Sequence, residues 1–424
     1  MRIHPARAFR GAFRMPGDKS ITHRAYLFGA LAKGVSTIEG ASQGDDCNST
    51  RRCLSALGLV FEDAPGRPLV AIGGAEELKA PVGMLDCGNS GTTLRLLMGV
   101  IAASNITCEL SGDESLNRRP MERVAAPLRL MGARIETTNG RPPVRVTGTK
   151  LQGASVTPEA ASAQIKSAVL LAALRAEGKT ILHEPVATRD HTERMIRSFG
   201  GRIRKRGTHL EIEGPQVLTA THVRIPGDPS SAAPFVVAAL IRPDSEVVIE
   251  GVLLNPHRVR YLDVLREMGG RIETEITSTT DAEPSGRIIV RSSELRGIRL
   301  PEDAVPAIVD ELPILAVAAA FAEGRFEVRG AGELRVKESD RIKAMVEGLA
   351  TLGARVVELE DGFTVEGRQP LRGATVQSHG DHRIAMALAV AALGAEGDTE
   401  IAGAEVVSIS LPGFFSELAR GAAR

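Results

Sequence analysis

Phe199-Gly200-Gly201-Arg202-Ile203 is one of five phrases of the same shape, the others being Leu57-Gly58-Leu59, Met131-Gly132-Ala133-Arg134-Ile135, Met268-Gly269-Gly270-Arg271-Ile272 and Leu352-Gly353-Ala354-Arg355-Val356. Each places glycine where a helix ends, because the left-handed conformation needed there costs glycine little, and follows it with an apolar residue that restarts a strand. Working outward from each phrase, the same script recurs. A polar cluster opens an apolar helical segment such as Ile165–Leu174 or Leu312–Phe321, a strand-like run such as Thr180–His183 or Arg325–Arg329 follows, and a second helix leads to the glycine. The copies begin near Lys19, Asn89, Ser162, Ser230, Asp310 and Asp381, with the sixth degenerate and ending at Arg424. A spacing of roughly 70 residues marks repeated supersecondary units.

Six units divide into two sets of three, and 424 residues exceed one ordinary core. Pro-Gly-Asp stands before a helix at Met15–Ser20 and again at Ile225–Ser230. As hinges near 15–18 and 226–229 they predict an N-terminal domain of residues 17–228, and a C-terminal domain of residues 229–424 joined by the first strand, residues 1–16. Aromatics are 3% with no Trp, so the interior of this α/β protein is built from Ala, Leu, Val and Ile.

Lys plus Arg and Asp plus Glu are 52 each, which argues against a broad nucleic-acid footprint. Cys47, Cys53, Cys87 and Cys108 have no C-x-x-C spacing and are expected to be reduced and structural. The Arg-rich Met1–Arg14 lacks a signal-peptide apolar core and is expected to be a strand. Pro, Gly or charge interrupts every apolar stretch long enough to span a bilayer, so the expectation is a soluble, cytoplasmic protein.

The chemistry collects at the helix starts. Lys19, Ser20 and Arg24 open the first copy, where free backbone N–H groups and the positive end of the helix dipole suit a phosphate or carboxylate. A serine cap with two solvated cations is the plain alternative. Asn89-Ser90-Gly91-Thr92-Thr93 with Arg95 is similar, Gly91 letting a ligand approach bare backbone. Ser162-Ala163-Gln164 and Lys166 offer hydroxyl, amide and ammonium. Arg118-Arg119-Pro120 could aim Arg119 inward, and Asp190 or Thr192 could cap the helix after Arg189. The C-terminal half adds Asp310-Glu311, Lys337-Glu338-Ser339-Asp340-Arg341 and Asp381-His382-Arg383. Capping accounts for Asp310, Ser339 and Asp381 but does not require Lys337, Arg341, His382 or Arg383. Those cations suit an anionic phosphate ester, with carboxylates for general acid–base work.

Gly17-Asp18-Lys19-Ser20-x-x-x-Arg24, Gly88-Asn89-Ser90-Gly91-Thr92-x-x-Arg95, Arg335-Val336-Lys337-Glu338-Ser339-Asp340-Arg341 and Asp381-His382-Arg383 follow in an order that resembles the 5-enolpyruvylshikimate-3-phosphate synthase family, over essentially the whole chain. The resemblance implies the two-domain enolpyruvyl transferase fold, an inside-out α/β barrel with three βαβαββ units per domain and a site in the cleft between domains. It implies transfer of the enolpyruvyl group of phosphoenolpyruvate to the 5-hydroxyl of shikimate 3-phosphate through a tetrahedral ketal phosphate, with release of phosphate and no metal or organic cofactor. Shikimate 3-phosphate would meet Lys19, Ser20, Arg24, Ser162, Ala163, Gln164, Arg189, Asp310 and Lys337, and phosphoenolpyruvate Lys19, Gly91, Arg119, Gln164, Arg341 and Arg383. Asp310 would accept the hydroxyl proton, Glu338 would protonate the methylene carbon, and Lys19 and His382 would support charge and proton movement. The implied partners are these two small molecules, with neither nucleic acid nor membrane, acting on a monomer.

Three departures from the family pattern stand out. Val407-Ser408-Ile409-Ser410 lacks a lysine that many members carry before the segment at Pro412, Ser162-Ala163-Gln164 replaces a two-serine form, and Arg189 stands near an aromatic position of other members. The last two fit a second class within the family, and Gly91 leaves room for glyphosate. UDP-N-acetylglucosamine enolpyruvyl transferase, the nearest competing reading, carries a reactive cysteine in the loop corresponding to Ser111–Pro120, where this chain has none. A non-catalytic anion-binding scaffold would be expected to lose Asp310, Glu338 or an arginine first, and RNA 3′-phosphate cyclase needs a reactive histidine and basic surface not found here.

Overall fold

The computed structural model describes residues 1–73, 77–279 and 282–423, so Arg424, where the sixth copy ends, lies outside the described residues. The chain forms two compact units, Gly17–Ile225 and Met1–Pro16 with Pro226–Arg424. Each is built around three apolar helices: α1 (Lys19–Leu31), α2 (Gly91–Ala102) and α3 (Ala163–Ala173) in the first, and α4 (Pro229–Ile241), α5 (Leu312–Phe321) and α6 (His382–Leu393) in the second.

These helices are apolar around most of their circumference, and such a helix is stable only when wrapped on all sides. In α4 every residue from Pro229 to Leu240 is buried, and α4, α5 and α6 pack against one another. Sheets form the outer layer. In the Gly17–Ile225 unit the strand orders are His222–Arg224, Val35–Glu39, Leu69–Gly73, Val60–Asp63; then Leu85–Asp86, Thr107–Ser111, Arg141–Thr147, Arg134–Thr138; then Ser155–Val156, Gly178–His183, His209–Gly214, Arg204–Arg206. The first pair of each is parallel and the others antiparallel. In the second and third sheets a core helix crosses between the parallel pair, the usual way to join parallel neighbours. The edge strand of the first sheet, His222–Arg224, comes from the unit's far end.

The other unit repeats the plan with substitutions. The N-terminal strand Ala8–Arg14 pairs parallel with Glu246–Leu253, while Thr375–Gln377 flanks Thr399–Ala402 around α6. In the middle copy the parallel edge is reduced to the bridges Arg296↔Glu323 and Arg299↔Glu327. The glycines read as helix terminators have positive φ in all five copies, from 80° at Gly200 to 99° at Gly269. The four cysteines are buried free thiols.

Close helix packing sets a strict size limit. A Cβ on Gly99 of α2 would fall 2.2 Å from the carbonyl oxygen of Ala168 in α3, which backbone cannot yield without moving a helix. Gly99→Ala is therefore expected to lower the unfolding free energy by about 3 kcal/mol. Gly332→Ala, where the new carbon meets nothing within 4 Å, should stay within about 0.5 kcal/mol of the parent in the same denaturant titration. Equal losses for the two would refute the packing account.

Candidate active site

In the Gly17–Ile225 unit, α1 begins where backbone touches backbone. A Cβ on Gly17 would lie 1.9 Å from the oxygen of Gly40, so only glycine fits. Asp18, fully buried, then accepts from the N–H of Ile21 at 2.8 Å and starts the helix. Lys19 follows, its Nζ 2.9 Å from Oδ2 of Asp46, which belongs to the second helix of the copy, Asp45–Ala56. One turn on, Arg24 is 3% exposed. It donates to the oxygen of Ser20 at 2.8 Å, to Thr192 Oγ1 at 2.8 Å and to Ser167 Oγ at 2.7 Å.

Ser90 caps α2, accepting from the N–H of Thr93 at 3.1 Å. The bare start of that helix faces two cations: a Cβ on Gly91 would lie 3.1 Å from Nη1 of Arg95 and 3.3 Å from Nη1 of Arg119. Each guanidinium is held by a side-chain amide, Arg119 donating to Asn89 Oδ1 at 2.7 Å and Arg95 to Gln164 Oε1 at 2.6 Å. Gln164 in turn donates to Thr92 Oγ1 at 2.8 Å. Two arginines beside a helix N-terminus suit an anion chemically, since charge, dipole and free N–H groups all favour a negative ligand. Gly91, Arg119 and Gln164 are thus brought together within this unit. Ser162 caps α3 at 3.4 Å from the N–H of Ile165, with Ala163 the first helical residue.

In the other unit Arg341, 2% exposed, organises the cluster. Its Nε donates to Asp381 Oδ2 at 2.8 Å, its Nη2 to Glu338 Oε2 at 2.7 Å, and its Nη1 lies 3.5 Å from Asp310 Oδ1. Lys337 Nζ lies 3.6 Å from the same Asp310 oxygen. Burial alone would raise the Asp381 carboxyl, but the Arg341 guanidinium outweighs it and holds it below its ordinary value. Desolvation lowers the Lys337 ammonium against the pull of Asp310. Arg383 Nη1 lies 3.5 Å from Glu311 Oε1, which also accepts from Ser230 Oγ at 2.5 Å. His382 is the first residue of α6, 1% exposed and next to the capping Asp381.

Several local expectations change. Asp340, not Ser339, caps the helix Arg341–Thr351, accepting from the N–H of Lys343 at 3.1 Å, while Ser339 turns to Asp381. Asp310 faces Lys337 and Arg341 rather than capping α5. Asp190 sits at the start of the helix His191–Ser198 without a cap bond and pairs with Arg194, and Thr192 serves Arg24. Lys166 is not offered to a ligand: it is 1% exposed and paired with Glu184 and Glu193. Asp46 has no local sequence sign as the partner of Lys19, 27 residues away, beyond the aspartate pair that opens its helix.

Beneath Lys19, the fully buried His23 has its Nδ1 2.7 Å from Thr50 Oγ1, and Thr50 meets Thr93 of α2 at 2.6 Å. Burial pushes this imidazole down from 6.5 to about 3, with Lys19 and Arg24 adding to the shift and Asp46 opposing it. The unfolded chain takes up the proton near 6.5 and the folded chain only near 3, so acid favours unfolding across that window. His23 should cost about 1.4 kcal/mol of stability per pH unit below pH ~6. Unfolding titrations at successive pH values should show a correspondingly shallower acid slope for His23→Gln, and identical slopes would refute the assignment.

The chain matches the family model of EPSP synthase (3-phosphoshikimate 1-carboxyvinyltransferase) over residues 3–418. It is 48% identical to the 3-phosphoshikimate 1-carboxyvinyltransferase of Gloeobacter violaceus, covering 99% of this chain and 98% of that one. With the enzyme of the same name from Geobacter metallireducens it shares 45% identity over 100% and 99% of the two chains. Among solved structures, EPSP synthase from Acinetobacter baumannii superposes with a TM-score of 0.88 at 43% identity, over 99% and 98% of the chains. The enolpyruvyl transferase NikO from Streptomyces tendae, at 18% identity and a TM-score of 0.79 over 100% and 97%, shares the fold.

Proposed function

The chain belongs to the EPSP synthase family and transfers the enolpyruvyl group of phosphoenolpyruvate to the 5-hydroxyl of shikimate 3-phosphate, and from that premise we propose which of its residues carry the reaction. Lys19, Ser20, Arg24, Ser162, Ala163, Gln164, Arg189, Asp310 and Lys337 take shikimate 3-phosphate. Lys19, Gly91, Arg119, Gln164, Arg341 and Arg383 take phosphoenolpyruvate. The observation that carries this reading is the Arg341 cluster, where one buried guanidinium lies within 3.5 Å of the carboxylates of Asp310, Glu338 and Asp381.

The chemistry requires a base for the hydroxyl, an acid for carbon and cations for developing charge. Asp310 removes the proton of the 5-hydroxyl as its oxygen bonds to C2 of phosphoenolpyruvate, while Glu338 protonates the methylene carbon to a methyl group. Elimination reverses the carbon protonation, breaks the C2–O bond to phosphate and leaves the enol ether. Arg341, which donates to Glu338 Oε2 at 2.7 Å, fixes the position of that acid beside the phosphoenolpyruvate that the same guanidinium binds. Lys19 and His382 support the charge and proton movement, and the paired arginines at Gly91 neutralise phosphate or carboxylate oxygens. The same reading takes the domain limits as 17–228 and as 1–16 with 229–424, with hinges near 15–18 and 226–229. The enzyme is further taken to act as a cytoplasmic monomer.

Phosphate release from phosphoenolpyruvate tests the assignment, with shikimate 3-phosphate and UDP-N-acetylglucosamine supplied in separate reactions. Release is expected with the shikimate ester only, and Glu338→Ala is expected to slow kcat by about 10²–10⁴-fold. Release with the nucleotide sugar would move the chain to the sister activity, and an unimpaired Glu338→Ala would remove Glu338 as the acid. Glyphosate is expected to compete with phosphoenolpyruvate at the arginine pair beside Gly91. Unchanged phosphoenolpyruvate kinetics at roughly millimolar inhibitor, far above ordinary ligand affinities, would exclude that site.

A further inference from the structure

Lys166 lies in the first turn of α3, where an outward-facing lysine would be free to meet an anion, yet it is 1% exposed. Its Nζ lies 2.9 Å from Glu193 Oε1, 3.1 Å from Glu184 Oε1 and 3.2 Å from the carbonyl oxygen of Thr188. Glu184 Oε1 also accepts from the N–H of Thr188 at 3.1 Å and from its hydroxyl. Lys205 Nζ lies 3.1 Å from Glu193 Oε1, so two ammonium groups face two carboxylates. The next residue of α3, Ser167, is 2.7 Å from Thr192 Oγ1 and accepts from Arg24 Nη2 at 2.7 Å.

One turn of α3 therefore holds both Arg24 and the segment 184–193, which carries Arg189. A buried ion network of this kind is a costly way to stabilise a fold, because desolvating its charges offsets much of their attraction. Apolar side chains of similar volume fill such a space at least as well. The network does something apolar packing cannot: it fixes a loop by directed contacts, since Glu184 and Lys166 together engage the N–H, hydroxyl and carbonyl groups of Thr188, the residue before Arg189.

We propose that Lys166 is a positioning residue for substrate binding: with Glu184 it sets the 184–190 segment so that Arg189 meets the phosphate of shikimate 3-phosphate beside Arg24. This rests on the assignment of Arg24 and Arg189 to that substrate. Lys166 itself touches no substrate.

The test is steady-state kinetics in both substrates on Lys166→Met, Glu184→Gln and Arg189→Ala, with thermal melting of each variant. Lys166→Met and Glu184→Gln should raise KM for shikimate 3-phosphate about tenfold, ~1.4 kcal/mol, while kcat and KM for phosphoenolpyruvate stay within about twofold. A purely structural role would lower the melting temperature and the active fraction, leave KM for shikimate 3-phosphate unchanged, and overturn the proposal. So would an equal rise in both KM values. Glu184→Gln preserves shape and decides the matter if Lys166→Met does not fold. Arg189→Ala separates the two levels: if it raises KM for shikimate 3-phosphate and the others do not, the positioning role fails alone. If it leaves that KM unchanged, the substrate assignment fails and the positioning role with it.

Discussion

A helix that is apolar on all sides must be surrounded by protein on all sides, and that single constraint organises both units. It forces the sheets outward and the six core helices inward, as in α4, buried from Pro229 to Leu240. It also demands small residues where the helices touch. Gly99 of α2 rides directly on the Ala168 carbonyl of α3, and alanine dominates α4, α5 and α6. Because nothing polar fits along such helices without a partner, polar chemistry is confined to their ends and to the second helices beside them. The N-termini are the useful ends, since their free N–H groups and dipole already favour anions.

Collecting cations there raises a second problem, because arginines and lysines buried without counter-charge would be expensive. The protein meets it by pairing them in advance: Lys19 with Asp46, Arg341 with Asp310, Glu338 and Asp381, and Arg383 with Glu311. The equality of 52 basic and 52 acidic residues is consistent with this internal pairing. On the assignment proposed above, a doubly charged substrate exchanges places with these carboxylates at Arg341 and Arg383.

Stability and function meet again beneath Lys19. The neutral His23, Thr50 and Thr93 form a buried chain of hydrogen bonds from α1 to the first turn of α2, tying the lysine's helix to the Gly91 site through neutral groups. Adding another charge at this depth would disturb Lys19 and Arg24, which is why burial of an uncharged imidazole suits the position.

What the amino-acid order determined by itself was whatever depends on near neighbours. The apolar runs, the polar clusters at their starts and the glycines at 58, 132, 200, 269 and 353 are local requirements, and those glycines do adopt positive φ. The motifs at Lys19, Asn89, Lys337 and Asp381 were legible for the same reason, as contiguous residues around a helix start. Only the tertiary structure decided which charges face which. Lys166 reads as a ligand group beside Gln164, yet it turns to Glu184 and Glu193; Asp46 answers Lys19 across 27 positions, and Thr192 answers Arg24 across 168. Ser339 and Asp340 are equally good caps in isolation, and the pull of Asp381 on Ser339 separates them. A charge finds its partner within a few ångströms of space rather than of sequence, and that proximity exists only after the helices have packed.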